Sequence, residues 1–389
     1  MEFVNDKEKL AELANLMNEQ SEAPTMVTDD LLYIFDAALE PEEVDFLLKM
    51  GGGNKIRADI ERNVALSGEE FDRIFNNLLD KSHIAQPSPV RGNDQPVYHL
   101  MSIFPGWFEI YLMRGANTPD RQEFCRRLTM FFNAATEIPA DLINEIMRDV
   151  APHRSLVVVN PPEAKLISVN EAVKPDVSEI YPAHSILNIY ENLGEDEVIT
   201  LSHCFCREHR RVEGDPCRVG LPQESCMATG PAAEHLINRG IARRITKQEA
   251  IQFIKEFQQK GCIHQVGRLM PLKDFNARYD VDILCNCCWD CCAAFGNYNR
   301  GLIPFMLKAY YIASIPDESV CTGCGTCEEY CPVRAIAVNR AGTAEINSDM
   351  CCGCGLCALH CPDEAVHMMP LERDVFLPIL EGDQRRIIL

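Results

Sequence analysis

Apolar residues recur at helical spacing from the start of the chain. Leu10, Leu13, Leu16 and Met17 line one side of the charged segment 5–20, a pattern that predicts an amphipathic helix. Three more helices are expected between 30 and 105: one beginning near Pro41, one over about 55–63, and one running to about Lys81, entered through a capping box of Ser67 and Glu70. HIAQPSPV and PVYHLM, separated by RGNDQ, then read as a hairpin. Thr118 and Pro119 start a helix to about Ala135, and another follows Pro139. LVVVNPPEAKLISV reads as two short strands about a Pro-Pro turn, Pro182 opens a helix ending at Gly194, and VITLSHCFC runs as a strand. Thr246 and Glu249 cap a helix that stops at Gly261. The apolar run GLIPFMLKAYYIASIP at 301–316 is expected as one short helix, and the tail DVFLPILEGDQRRIIL as a segment that wraps back or anchors a partner.

These elements predict an α+β multidomain protein. Residues 1–118 are a helical region whose element order resembles a winged helix, and 119–203 an α/β connection. Residues 204–300 form a Cys-rich middle domain, 301–316 a linker helix, 317–372 a second cysteine-rich unit and 373–389 a tail. A winged helix commonly binds DNA, but the helix in the recognition position, GEEFDRIFNNLLDK, is acidic and lacks the Arg and Lys cluster that phosphates require. DNA is therefore an unlikely partner, and a protein-docking or architectural role is expected.

Charge points the same way. The net charge is −21, with about −13 on residues 1–150, about −7 on 317–372 and about +3 on 204–300. No general nucleic-acid surface is implied, while an acidic C-terminal unit can dock on the mildly basic middle or on a basic partner. Twenty cysteines exceed what packing needs. No apolar run reaches 18 residues and the N-terminus lacks a signal-type stretch, so no membrane span is expected. Metal-binding thiolates in a reducing cytoplasm, in an anaerobe, are expected instead.

The chemistry concentrates at 321–361. CTGCGTCEEYCP and CCGCGLCALHCP each follow C-x2-C-x2-C-x3-C-P: Cys321, Cys324, Cys327 and Cys331, then Cys351, Cys354, Cys357 and Cys361. Zinc ribbons also use paired C-x2-C, but they have no place for the third cysteine or the Cys-Pro ending. Residues 315–372 closely resemble bacterial dicluster ferredoxins. The resemblance implies two [4Fe-4S] clusters, one on Cys321, Cys324, Cys327 and Cys361, the other on Cys351, Cys354, Cys357 and Cys331. Cys352 is expected to be a small core residue.

A second cysteine-rich region spans 204–292. Candidate ligands are Cys204, Cys206, Cys217, Cys226, Cys285, Cys287, Cys288, Cys291 and Cys292. In an extended chain Cys204 and Cys206, or Cys285 and Cys287, face one side together, whereas adjacent Cys287 and Cys288, or Cys291 and Cys292, are split. The simplest grouping gives Cys204, Cys206, Cys217 and Cys226 one cluster and CNCCWDCC another. Mixed sharing is equally compatible, and zinc is a rival metal. One or two further [4Fe-4S] clusters, or zinc, are thus expected. Cys125 and Cys262 read as structural. Arg207, Arg210, Arg211 and Arg218, with His203 and His209, stand by for charge balance, potential tuning or an anionic ligand.

The arrangement over 200–372 resembles larger ferredoxin-type iron-sulfur proteins of anaerobes, which implies an electron-transfer protein or subunit relaying low-potential electrons. Its partners would be redox proteins: a ferredoxin, a flavoprotein or an oxidoreductase subunit. No nucleotide fingerprint or P-loop is present. Two alternatives remain: an oxidoreductase with its own reducing site in the middle domain, and an iron-sulfur redox-sensing regulator.

Overall fold

The computed structural model describes residues 2–20, 25–85, 96–148, 155–156, 186–187, 190–267 and 283–387. Asp6 caps α1 (Lys7–Asn18) by accepting from the Glu8 and Lys9 amides, and Leu10, Leu13, Ala14 and Met17 form its buried face. Leu16 is only partly buried. Then come α2 (Asp29–Ala38), α3 (Pro41–Met50), β1 (Lys55–Ile56), α4 (Arg57–Val64), α5 (Gly68–Asp80), β2 (Ile84–Ala85) and β3 (Val97–Leu100). The three strands form a sheet of order β1-β3-β2. Lys55 and Ile56 pair with Tyr98 and Val97, so the helix expected from 55 starts only at Arg57. Ser67 makes no side-chain cap on α5, and a capping box forms two helices earlier, on α3, between Glu40 and Glu43. The exposed face of α5 carries Glu69, Glu70 and Asp80, and its Arg73 is engaged by Glu42 at 2.6 Å. Trp107, fully buried before α6 (Phe108–Leu112), packs on Phe35, His83 and Phe124. The helices α7 (Pro119–Ala134) and α8 (Ala140–Arg148) follow.

The rest is organised by an eight-stranded sheet of order β13-β10-β4-β8-β9-β6-β5-β7. Its strands are β4 (Ser155–Leu156), β5 (Ile199–His203), β6 (Glu224–Thr229), β7 (Arg243–Ile245), β8 (Ile263–Gly267), β9 (Ile283–Cys287), β10 (Phe305–Ser314) and β13 (His367–Leu377). The segment LVVVNPPEAKLISV falls mostly outside the described residues, as does the Pro182 helix start. Alternation along the central strands divides the side chains. Cys226, Ala228 and Ile283 join the core of the N-terminal helices. Leu201, Met227, Leu284 and Ile263 join a second core, shared with the C-terminal cysteine loops. The connections include α9 (Phe205–Val212), α10 (Gly230–Asn238), α11 (Lys247–Gln259) and α12 (Phe295–Asn299). Thr246 and Glu249 form the expected capping box on α11.

The expected linker helix at 301–316 is instead β10, paired antiparallel with β13 from Phe305 opposite Leu377 to Ser314 opposite His367. A ten-residue apolar run fits either structure by hydrophobicity. Here aromatic and β-branched residues and the bracketing Pro304 and Pro316 favour the strand. The tail accordingly begins inside the sheet. β13 is an edge strand, which accommodates Pro370. Beyond it, Ile379 and Ile387 are buried. Between β10 and β13 lie α13 (Thr326–Tyr330), β11 (Ile336–Val338), β12 (Ala344–Ile346) and α14 (Leu356–Leu359).

Candidate metal centres

The two C-terminal cysteine loops are built alike. Gly323 and Gly353 have φ of +68° and +72°, and a Cβ at either would meet a backbone carbonyl, that of Gly342 or of Tyr311. Only glycine lets the loops fold this tightly. Backbone amides of Ala335, Ala344 and Ala365 donate to the sulfurs of Cys331, Cys321 and Cys361 at 3.1, 3.4 and 3.3 Å. Such bonds stabilise thiolate and tune any metal it holds. Cys321, Cys324 and Cys361 act together on Cys327, whereas Cys354 and Cys351 act on Cys331. These influences run in the direction of the expected grouping, three cysteines from one loop and the fourth from the other.

The sets differ in exposure. Cys324 is exposed and Cys321 and Cys361 are half-buried, while Cys331, Cys351, Cys354 and Cys357 are all buried. These last four line a small apolar cavity walled by Ala313, Ile336, Ile346 and Met368. Burial, then Cys354, pushes the Cys331 thiol up to about 12. Uncompensated thiolates would be costly in so apolar a space, and metal supplies the missing positive charge. Converging sulfurs, amides aimed at them and a dry wall fit a [4Fe-4S] cubane at each set. Cys352 is buried on the same cavity and pairs with Cys354.

In the middle region Cys204 ends β5 and is the N-cap of α9, so Cys206 lies on a helix. The two sulfurs do meet, through the first helical turn and not through strand alternation. The register of β6 and β9 sets Cys226 opposite Cys285, and their thiols pair. Cys287 pairs with Cys285 and Cys292, and Cys206 with Cys204 and Cys292. Six thiols are therefore linked neighbour to neighbour: Cys226, Cys285, Cys287, Cys292, Cys206 and Cys204. Cys217 is elsewhere, with Cys288, Cys291 and Asp290. The quartet Cys204, Cys206, Cys217 and Cys226 is thus not assembled, and CNCCWDCC does not hold a centre by itself. Strand pairing interleaves the two groups, and the adjacent pairs Cys287/Cys288 and Cys291/Cys292 are divided between the two sets. Cys125 and Cys262 are fully buried. The Cys262 thiol donates to the Ile263 carbonyl at 3.5 Å.

Arg207 lies between these sets, fully buried. It donates to the Pro222 carbonyl at 2.7 Å, to Ser225 Oγ, to the Asn286 carbonyl at 3.3 Å and to Cys288 Sγ at 3.6 Å. Burial opposes its charge, yet Cys204, Cys288 and Cys217 hold it firmly protonated. Arg211 pairs with Glu208 at 2.6 Å, and Arg218 with Asp215 at 3.3 Å. Arg210 is buried near Asp215. Burial would raise the Glu208 carboxyl, but His203, Arg211 and the Ala116 amide bring it down to about 2. His203 contacts Glu208 at 3.5 Å, and His209 contacts Thr129 Oγ1 at 2.8 Å and the Cys125 backbone, so both rings are engaged by groups other than the candidate ligand sulfurs.

Sequence reasoning missed Asp290, and it missed the clasp joining the two metal regions. Arg386 stacks on Trp289 with 3.7 Å to the ring centroid and donates to the Cys331 and Glu329 carbonyls at 2.5 and 3.0 Å. Asn299 Nδ2 bonds the Trp289 and Pro332 carbonyls at 2.9 and 3.0 Å. Tyr298, buried, lies beside Cys352 and Cys331. An acidic residue inside a cysteine loop was the only sequence signal for Asp290. None marked the clasp.

The family described as 4Fe-4S binding domain matches the chain twice, over residues 315–337 and 344–367. The matches coincide with the two loops, and this segment is a dicluster ferredoxin-type domain carrying two [4Fe-4S] sites. No curated protein and no solved structure matches the chain. Among the described residues no helix is long and apolar enough to cross a membrane.

Proposed function

We propose that this chain, with its dicluster 4Fe-4S domain at 315–367, is an electron-transfer protein or subunit that relays low-potential electrons between a redox partner and metal held in its middle region. When bound, a [4Fe-4S] cluster accepts and donates one electron at low potential. The observation that carries the reading is the graded burial of the two sets together with what lies behind the inner one. The outer set opens to solvent at Cys324, on an acidic unit suited to a basic docking face. The inner set shares one continuous core with Tyr298, Phe295, Cys287 and Cys292.

The chain's own residues keep that path dry and fixed. Arg386, Trp289 and Asn299 tie the Cys331–Pro332 backbone to the middle region. The buried arginines are committed to carbonyls, thiols and carboxylates, which favours a relay over a site that grips an anionic substrate. The acidic face of α5 favours protein docking over DNA.

The test is anaerobic purification followed by reduction with dithionite and with a small ferredoxin or flavodoxin-type donor, read by EPR and visible bleaching. Two interacting S = 1/2 signals from the C-terminal unit, and faster bleaching by the protein donor than by dithionite alone, are expected. Protein that stays colourless and EPR-silent after reconstitution would end the proposal.

A further inference from the structure

Among the described residues Asp290 is the carboxylate that lies inside a compact cysteine set, and it is 2 % exposed. Its Oδ2 lies 3.5 Å from Cys291 Sγ and its Oδ1 4.0 Å from Cys217 Sγ. One ligand atom from each of Cys217, Cys288, Asp290 and Cys291 falls within 4.8 Å of all the others. Among the described residues no second group of three or more potential ligands is so compact.

That spacing selects a metal type. Around one tetrahedral ion with metal–sulfur bonds of about 2.3 Å and metal–oxygen bonds of about 2.0–2.2 Å, ligand atoms stand about 3.5–3.8 Å apart. Thiolates on separate irons of a cubane stand further apart, because the irons and bridging sulfides lie between them. The Cys217 set needs only a small contraction for the first and a large expansion for the second.

Charge agrees. Three thiolates and a carboxylate around a divalent ion leave two negative charges. Three buried guanidiniums surround them: Arg207 donates to Cys288 Sγ at 3.6 Å, Arg300 donates to the Asp290 carbonyl at 2.5 Å, and Arg210 lies beside Asp215. Asp215 is shared among Arg300 at 2.5 Å, Arg210 and Arg218, so the surroundings keep a net positive charge that offsets the negative charge of the site. The Arg218 amide donates to Asp290 Oδ2 at 2.6 Å and orients it, as the outer partners of metal-bound carboxylates do.

We propose that Cys217, Cys288, Cys291 and Asp290 hold a single tetrahedral divalent ion of the zinc class, without inorganic sulfide. The inference rests on the reading above that the middle region binds metal, but it requires no electron to move at this site. Binding releases to solvent whatever protons the three thiols still carry and forms three metal–sulfur bonds and one metal–oxygen bond. A redox-inert ion here sits on the turn that also carries Cys287 and Cys292.

The test uses full-length protein purified anaerobically, with zinc, iron and sulfide measured on wild type and on Cys217→Ser, Asp290→Ala and Asp290→Cys. About one zinc per chain is expected in wild type and in Asp290→Cys, which keeps four ligands, and none in Cys217→Ser or Asp290→Ala, with iron and sulfide unchanged. Native mass spectrometry of wild type and Asp290→Asn covers the case in which the other variants fail to fold. Zinc-free wild-type protein overturns the proposal, as does loss of about four irons and four sulfides in Cys217→Ser or zinc that survives both ligand removals. The EPR signals of the ferredoxin unit, recorded on the same samples, report separately on the relay: their persistence in zinc-free Cys217→Ser leaves that reading standing whatever becomes of this one.

Discussion

Replacing Arg386 with alanine is expected to loosen the ferredoxin unit from the middle region without removing any cysteine. The guanidinium gives up two hydrogen bonds to carbonyls, at Cys331 and Glu329, and its stack on Trp289. A hydrogen bond from a charged donor contributes about 1.5–3 kcal/mol and a cation–π contact about 0.5–1 kcal/mol. Arg386 is only half-buried, so water recovers part of what both carbonyls lose. A net cost of about 2 kcal/mol follows. If that energy holds the unit closed, local opening rises roughly thirtyfold at about 1.4 kcal/mol per decade. The assay is hydrogen–deuterium exchange of cluster-loaded protein, followed on peptides covering 326–336 and, as a distant reference, α1. Arg386→Lys keeps the charge but not the fork and should recover less than half of the protection. Exchange at 326–336 that changes less than threefold in Arg386→Ala would refute the clasp.

Three further outcomes follow from the same structure. Cys125→Ala and Cys262→Ala should leave iron and sulfide content unchanged and cost about 1 kcal/mol each as small buried-volume losses, measured by metal analysis and denaturant midpoints. Cys352→Ala should likewise keep full iron, whereas Cys354→Ala should remove about four irons and the inner EPR signal; equal losses in both would make Cys352 a ligand. Burial lowers His99 to about 4, and burial with Lys81 lowers His83 well below its ordinary value. The unfolded chain therefore takes up these protons first as pH falls. Stability of the N-terminal region is full above about pH 6.5 and drops toward pH 4 by about 1.4 kcal/mol per unit per histidine. Urea unfolding followed by Trp107 fluorescence should show this slope, and His99→Gln should reduce it; a flat profile from pH 7 to 5 would contradict it.

The C-terminal unit was legible because its ligand spacing is local: three cysteines in one loop and a fourth at a Cys-Pro, twice over. Grouping in the middle region was not legible, because it depends on how β6 and β9 register and on where α9 begins. Neither is encoded in the intervals between cysteines. Helix ends gave mixed results for a related reason. Thr246 and Glu249 closed their box, but at Ser67 the side chain does not cap, and the reciprocal bonds appear at Glu40 and Glu43. Residues 301–316 show the limit of periodicity for a strand with apolar side chains on both faces. Its partner β13 was divided in the sequence reading between a domain and a tail.

The pairing of Ser314 with His367 makes everything between them a loop on a single hairpin. A tight two-residue turn could bridge the same two ends. The sheet would then keep its edge strands while losing both C-terminal cubane sites, so the cluster module can be gained or lost as one cassette. Such an excised chain would isolate the middle region for spectroscopy, free of the overlapping absorbance of its neighbours.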